Sequence, residues 1–348
     1  MSKLDRVQEY LTNDLTIFRE TFFDNMEEIQ VISFAKGSTR KAPLYRVPTL
    51  EYFESWHVSG IVGGRRPSTY SESPWLWNTY FKNLGVKGVF FCFDLPIEKD
   101  FNEFFQAAFD VAGLLDLTIT DPYKSVAVKA LEQTELPVTW SEQAKHTHAV
   151  NHILVDSSGP ELIALNTDGV GMFWAVKDRS GISGKKVLII GAGGSAVSIG
   201  YEFAKAGCNT CIINRTPSKA KDASALLARF TGPSSEIQWG GFDSLSSFLK
   251  EADIVISTVV EGCPIHPGNM GLLKEGVILA ETKYGAKADL KQAAQEKGLA
   301  YIDGRAMLFG QFVEAAVVMG PLVGIAGDRH KKLIDEMKGL YYDRHDNE

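Results

Sequence analysis

The chain has 348 residues, 45% hydrophobic and 23% charged, an ordinary soluble composition long enough for two domains with separate cores. A formal net charge of −7 offers no basic surface for nucleic acid. No apolar run reaches membrane-span length and the opening MSKLDRVQEY is too polar for a signal peptide, so the cytosol is the expected compartment and a membrane partner is not.

Leu11, Leu15, Phe18, Phe22, Met26 and Ile29 recur at spacings of four and three, the stripe of an amphipathic helix. This opening segment, through about Pro48, is expected to pack on the body of the protein or on a second copy, the latter making a homodimer. The GSTRK run within it reads as a polar turn. From about residue 56, apolar runs alternate with helical stretches: HVSGIVG, SPWLWNTYFKNLG, GVFFCFDLP, NEFFQAAFDVAG, LDLTIT. That rhythm predicts an α/β layer with parallel strands. NHILVDSSGPELIALN predicts a hairpin turning at Ser157-Ser158-Gly159-Pro160, and GVGMFWAVKDRSG a linking helix. A second βαβ series starts at Lys185, with strands KVLII, TCIIN, IQWGGF, DIVIST, GVILAET and LAYIDG. From Leu308 the chain is expected to be helical, ending in a frayed tail, YYDRHDNE.

Four cysteines (Cys92, Cys208, Cys211, Cys263) are too few for a disulfide framework. Cys208 and Cys211 spell C-x-x-C, but they fall in a helix-to-strand turn and the strand after it, whereas a redox pair opens a helix. His146, His148 and His152 cluster with no carboxylate or thiolate at ligand spacing, so they are expected to be ordinary histidines of a β-segment, and no metal is expected.

KKVLIIGAGGSAVSIGYEFAKAG sets Gly191, Ala192, Gly193, Gly194, Ser195 and Ala196 between a strand and a helix. The first glycine permits the tight turn, the second lets the backbone approach a pyrophosphate, and Ala196 lets helix and strand pack closely. The helix N-terminus then receives phosphate, which is the Rossmann arrangement. At the end of the next strand, where an NAD site places a carboxylate, stand Asn214, Arg215 and Thr216, with Lys219 one turn on. A cation with hydroxyl and amide donors suits a 2′-phosphate, so NADP is the expected cofactor. Arg215 as a plain surface residue at a strand end is the alternative.

In LTITDPYKS a strand ends at Asp121-Pro122 and Lys124 follows just past its carboxyl edge; Asp168, in LNTDGVG, also follows a strand. Ligands bind at that edge of open α/β sheets. A lysine there can polarise a ketone oxygen and carry the proton that accompanies hydride transfer. Spacing alone leaves this open against a solvated lysine or a surface salt bridge of little energetic value.

Taken together these motifs resemble those of the shikimate dehydrogenase family, in order, from about Val58 to Gly320. LTITDPYK resembles NVTxPxK, whose lysine is catalytic, and LNTDGVG resembles NTDGxG, whose aspartate pairs with that lysine; these are Lys124 and Asp168. Ser71-Glu72-Ser73-Pro74 resembles the SxSP turn, whose two serines bind the substrate carboxylate. Ala149-Val150-Asn151 resembles AVN, whose asparagine binds a ring hydroxyl, and Thr120 is expected to orient another. Tyr284 and Gln311, in KYGAK and MLFGQ, fall where the family has further substrate contacts. GAGGSA and NRTPSKA resemble its NADP loop and 2′-phosphate motif.

The resemblance implies an NADP-dependent oxidoreductase of aromatic amino acid biosynthesis, acting on a cyclic polyhydroxy carboxylate, with shikimate and 3-dehydroshikimate as substrate and product. It implies an N-terminal α/β substrate domain over 51–178, completed by helices at 308–340, after an extension at 1–50. A Rossmann NADP-binding domain over 179–307 follows, with a cleft between the two. Departures are Trp77 for a histidine, Thr118 for the NVT asparagine, and Val259-Val260 in ISTVVEG for NATPxGM. They leave quinate or aminoshikimate dehydrogenase as alternatives. A ligand sensor that keeps the fold without turnover is the alternative from another class, and the intact Lys124 and Asp168 argue against it.

Overall fold

The computed structural model describes residues 57–95, 101–109, 114–156, 161–231, 237–266, 268–285 and 290–346. The stripe over 11–29, the GSTRK run and the hairpin turn at 157–160 lie outside the described residues. The chain divides into two compact units. One takes the described chain up to Trp140, Val150–Leu165 and the chain from Val317; the other takes Ser141–Ala149 and Asn166–Ala316. The boundary expected at 178 therefore falls inside the second unit, and the return to the first begins at Val317 instead of 308.

The first unit contains β1 (His57–Gly63), α1 (Ser73–Leu84), β2 (Gly88–Asp94), α2 (Phe101–Phe109), β3 (Leu114–Ile119), α3 (Lys124–Gln133), β4 (Val138–Trp140), β5 (His152–Asp156) and β6 (Glu161–Leu165). Its six strands lie in the order β2-β1-β3-β5-β6-β4. β1 pairs in parallel with β2 and β3, as the strand–helix rhythm predicts. β5 runs antiparallel to both β3 and β6, so the expected hairpin is part of the same sheet and makes it mixed. β4, only three residues long, is too short for an alternation signal and was not expected.

α1 forms because Leu76, Trp77, Tyr80, Phe81 and Leu84 fall on one buried face, Pro74 fits its first turn and Gly85 ends it in the left-handed region at φ 73°. Trp77 is 1% exposed. Its ring stacks on Phe90 at a centroid distance of 5.9 Å and meets Tyr80 edge-on at 5.7 Å. It is a core residue, not a wall of a ligand site.

The second unit contains α4 (Glu142–Thr147), α5 (Asp168–Lys177), β7 (Lys186–Ile190), α6 (Gly194–Lys205), β8 (Asn209–Ile213), α7 (Pro217–Ala228), β9 (Ile237–Gly240), α8 (Leu245–Glu251), β10 (Ile254–Ser257), β11 (Ile278–Glu281), α9 (Lys291–Glu296) and β12 (Ala300–Ile302). Its strands are all parallel, in the order β12-β11-β10-β7-β8-β9. This is the doubly wound order, with the switch point between β7 and β10. Val187, Ile189 and Ile212 serve a core on one face, while Leu188, Ile190 and Ile213 serve another on the opposite face. Strands buried on both faces read as the continuous apolar runs KVLII and TCIIN.

α10 (Gly304–Leu322) starts in the second unit and ends in the first; α11 (Asp328–Asp346) belongs wholly to the first. The tail expected to fray is helical through Asp346, because Tyr341 is fully buried and α11 packs on α1.

Trp77→Ala is expected to cost about 3–5 kcal/mol of stability. Urea unfolding of the variant checks this; a loss below about 1 kcal/mol would contradict a packed core at this position.

Candidate active site

In the first unit, β1 and β3 end and β5 begins at one sheet edge. Thr120 N donates to Val62 O at 2.9 Å, Ile119 N to Asn151 O at 2.7 Å and Val150 N to Lys124 O at 3.0 Å. Thr120 and the half-buried Lys124 thus follow β3, and the buried Asn151 precedes β5 on the neighbouring segment. The turn between Thr120 and Lys124 contains a cis Asp121-Pro122 bond. Lys124 is the first residue of α3.

Ser71 and Ser73 come off the loop after β1. That loop is tied down twice. Asp94, at the end of β2, accepts from Ser68 N at 3.0 Å and from Ser68 Oγ. Gly64 N donates to Asp121 O at 3.1 Å, and Arg65 pairs with Asp121 at 2.7 Å. Ser73 N donates to Ser71 Oγ at 3.3 Å, and Ser73 itself is buried at the start of α1. Tyr70, next to Ser71, was not among the residues expected here. Burial raises its phenol pKa, and its side chain hydrogen-bonds with Thr120. No periodicity or spacing marks a lone tyrosine in a loop, so only the folded chain reveals it. Among the neighbours that depart from the family pattern, Thr118 is buried, its hydroxyl 3.3 Å from Asp116 Oδ2 and 3.2 Å from His152 Nδ1.

In the second unit Gly191 leaves β7 at φ 115°, a conformation side chains rarely take, and a Cβ there would meet Thr258 Oγ1 at 2.3 Å. Thr258, after β10, closes on the loop by donating from N and Oγ1 to Ile190 O at 2.8 and 3.0 Å. Gly193 and Gly194 are exposed, and a Cβ on Gly193 would stand in open space. No side chain caps α6, so its first amides face outward, with Ala192 and Ser195 half-buried beside them and Ala196 buried against the sheet.

Arg215, Thr216 and Lys219 are exposed after β8; the half-buried Asn214 donates from Nδ2 to Thr216 O at 3.1 Å. The side chains of Arg215 and Lys219 have no hydrogen-bond or ion-pair partner among the described residues, and no carboxylate occupies the strand end. Open glycine amides at a switch point, followed by two unpartnered cations, fit a dinucleotide with a 2′-phosphate.

Asp168 opens α5 and is fully buried. Ser195 Oγ donates to its Oδ2 at 2.8 Å, linking this carboxylate to the glycine loop within the same unit. Asn166 Oδ1 accepts from Asp168 N at 3.2 Å and Ser198 Oγ at 2.9 Å, and Ser198 Oγ accepts from Gly169 N at 2.9 Å. Gln311 comes to α5 because two glycines cross: a Cβ on Gly310 would lie 2.7 Å from Gly171 Cα, and one on Gly171 2.9 Å from Gln311 N. Tyr284 follows β11, half-buried, and its neighbour Lys283 donates from Nζ to Val260 O at 3.3 Å. Val260, one of the departing residues, is 53% exposed.

Residues 64–153 match the family profile described as Shikimate dehydrogenase substrate binding domain, and 174–270 match Shikimate / quinate 5-dehydrogenase. The chain is similar to the Shikimate dehydrogenase (NADP(+)) of Pyrococcus abyssi, 32% identical over 264 residues that cover 74% of this chain and 90% of that one. The enzyme of the same name from Pyrococcus furiosus is 31% identical over 265 residues, covering 74% and 88%. A crystal structure of a shikimate dehydrogenase in complex with NADP+ superposes with a TM-score of 0.65 at 25% identity, covering 82% of this chain and 95% of that one.

The histidine cluster and the C-x-x-C pair read as neither metal ligands nor a redox site. Of His146, His148 and His152, the last alone is in a strand; His146 sits on α4 and His148 caps it in the left-handed region at φ 47°, which corrects the expected β-segment. Among the described residues no group of three His, Cys, Asp or Glu could hold a metal. Burial pushes the Cys208 thiol up to about 11 and the Cys211 thiol up to about 12. The reactive form is the thiolate, so both should be inert. In the native protein at mildly alkaline pH, a thiol reagent is expected to leave Cys208 and Cys211 unmodified; peptide mapping that finds either labelled, or the two joined, would contradict this.

Proposed function

Since the chain belongs to the shikimate dehydrogenase family, we propose that it interconverts a cyclic hydroxy carboxylate and its ketone with NADP(H), the pair being shikimate and 3-dehydroshikimate. What supports the assignment most is a single sheet edge in the first unit that carries Ser71, Ser73, Thr120, Lys124 and Asn151 together. Two serine hydroxyls suit a carboxylate, since a neutral ring would leave them poorly used. Thr120, Asn151 and Gln311 are proposed to orient ring hydroxyls, and Tyr284 to make a further substrate contact. The nicotinamide, when bound, supplies or accepts the hydride.

Lys124 is proposed as the group that gives a proton to the alkoxide oxygen during reduction and takes it back during oxidation. Asp168 is proposed as the second acid–base group, its carboxylate oriented by Ser195. Gly191, Ala192, Gly193, Gly194, Ser195 and Ala196 would receive the pyrophosphate, and Asn214, Arg215, Thr216 and Lys219 the 2′-phosphate. The reaction so read serves aromatic amino acid biosynthesis, in the cytosol, where four free cysteines stay reduced.

Formation of NADPH from shikimate and NADP+ by the purified protein tests the reading, and inertness toward shikimate, quinate and aminoshikimate would refute it. Lys124→Met keeps the aliphatic stem without a proton to transfer. Its turnover is expected to fall about a hundredfold or more, with NADP+ affinity unchanged. A change in the Michaelis constant alone would make Lys124 a binding residue.

Arg215→Asp exchanges a charge-assisted hydrogen bond for repulsion. A bond of that kind contributes about 1.5–3 kcal/mol, so NADP+ affinity should fall roughly ten- to a hundredfold while NAD+ affinity changes little. Equal losses for both cofactors would assign Arg215 to folding.

A further inference from the structure

Glu72 stands between the two serines of the Ser71–Ser73 turn and is only 8% exposed. A carboxylate so close to a site for another carboxylate opposes its binding, and more strongly as water is excluded. α11 answers that charge. Tyr341 Oη donates to Glu72 Oε2 at 3.0 Å. His345 Nε2 lies 2.9 Å from the same oxygen.

The rest of α11 holds this arrangement along α1. The Tyr341 ring is 6.0 Å from that of Trp75, which also has the Arg344 guanidinium 4.9 Å above it. Further along, Tyr80 Oη and His330 Nε2 are 2.7 Å apart, and Asn83 reaches the Met337 sulfur at 3.6 Å. α11 begins beyond Gly320, where the family motifs end.

We propose that Tyr341 and His345 are positioning residues for the substrate carboxylate: they draw the Glu72 side chain to α11 and offset its charge, leaving the Ser71 and Ser73 hydroxyls to a second anion. The proposal rests on the reading of those serines as the carboxylate anchor.

The test is steady-state kinetics of Tyr341→Phe, His345→Ala and His345→Gln, the first two also combined with Glu72→Gln, using shikimate and NADP+. Tyr341→Phe and His345→Ala are expected to raise KM for shikimate about three- to tenfold, with kcat and KM for NADP+ within about twofold of wild type. His345→Gln keeps a donor and should stay near wild type. Adding Glu72→Gln should abolish most of the KM increase, since an amide leaves no charge to offset. A KM increase that survives Glu72→Gln, or a fall in kcat with KM unchanged, would overturn the proposal. Should Tyr341→Phe fail to fold, the half-buried His345 carries the test alone. Unchanged variants of an active wild type overturn the positioning role only; an inert wild type overturns the family reading and this proposal with it.

Discussion

A carboxylate withdrawn completely from water has to be met by donors, and Asp168 organises the second unit around that requirement. Ser195 supplies one donor from the glycine loop. Asn166, two residues before it, receives Asp168 N and Ser198 Oγ, and gives its own amide to Thr147 Oγ1 and Ala149 O at 2.9 and 3.1 Å. These bonds join α4, α5 and α6. They explain why residues 141–149 and 166–178, which the chain order assigns to the preceding domain, belong to the nucleotide-type unit. Asp168 and the glycine loop are thereby parts of one largely buried network, in which a half-satisfied member would be costly.

The first unit uses the same device at its strand ends. Asn78 donates to Phe90 O at 3.0 Å and accepts from Phe90 N at 2.7 Å, pairing the free side of the edge strand β2. Asp94 holds the loop that leads to Ser71, and Glu72 holds the turn itself to α11. Candidate ligands sit on loops, but these loops are fastened to strands and helices by buried polar groups. Such fastening lets a loop present hydroxyls in a defined geometry.

Sheet topology alone does not choose a substrate; the side chains at the sheet edge do. Two departures from the family pattern show the distinction. Trp77 replaces a histidine, but its ring is spent on packing against Phe90 and Tyr80. Thr118, in contrast, stays in a polar group with Asp116 and His152. Of the two, only Thr118 keeps a polar neighbourhood.

Much of this was legible in the sequence, for a physical reason. Buried parallel strands write continuous apolar runs, and a dinucleotide turn needs glycine at a positive φ, so KVLIIGAGGSA announces its own structure; the absence of a carboxylate after β8 was equally plain. Lys124 and Asp168 were legible as positions just past strand ends, and Ser71 and Ser73 through the motif resemblance. What required the tertiary structure were pairings between residues far apart in the chain, which leave no local period: Tyr70 with Thr120, Glu72 with Tyr341, Gly171 against Gly310. The tail YYDRHDNE looks like a polar end that should fray, because charge and polarity are local properties. Whether it is helical depends on Tyr341 finding a buried place against α1, and only the folded chain decides that.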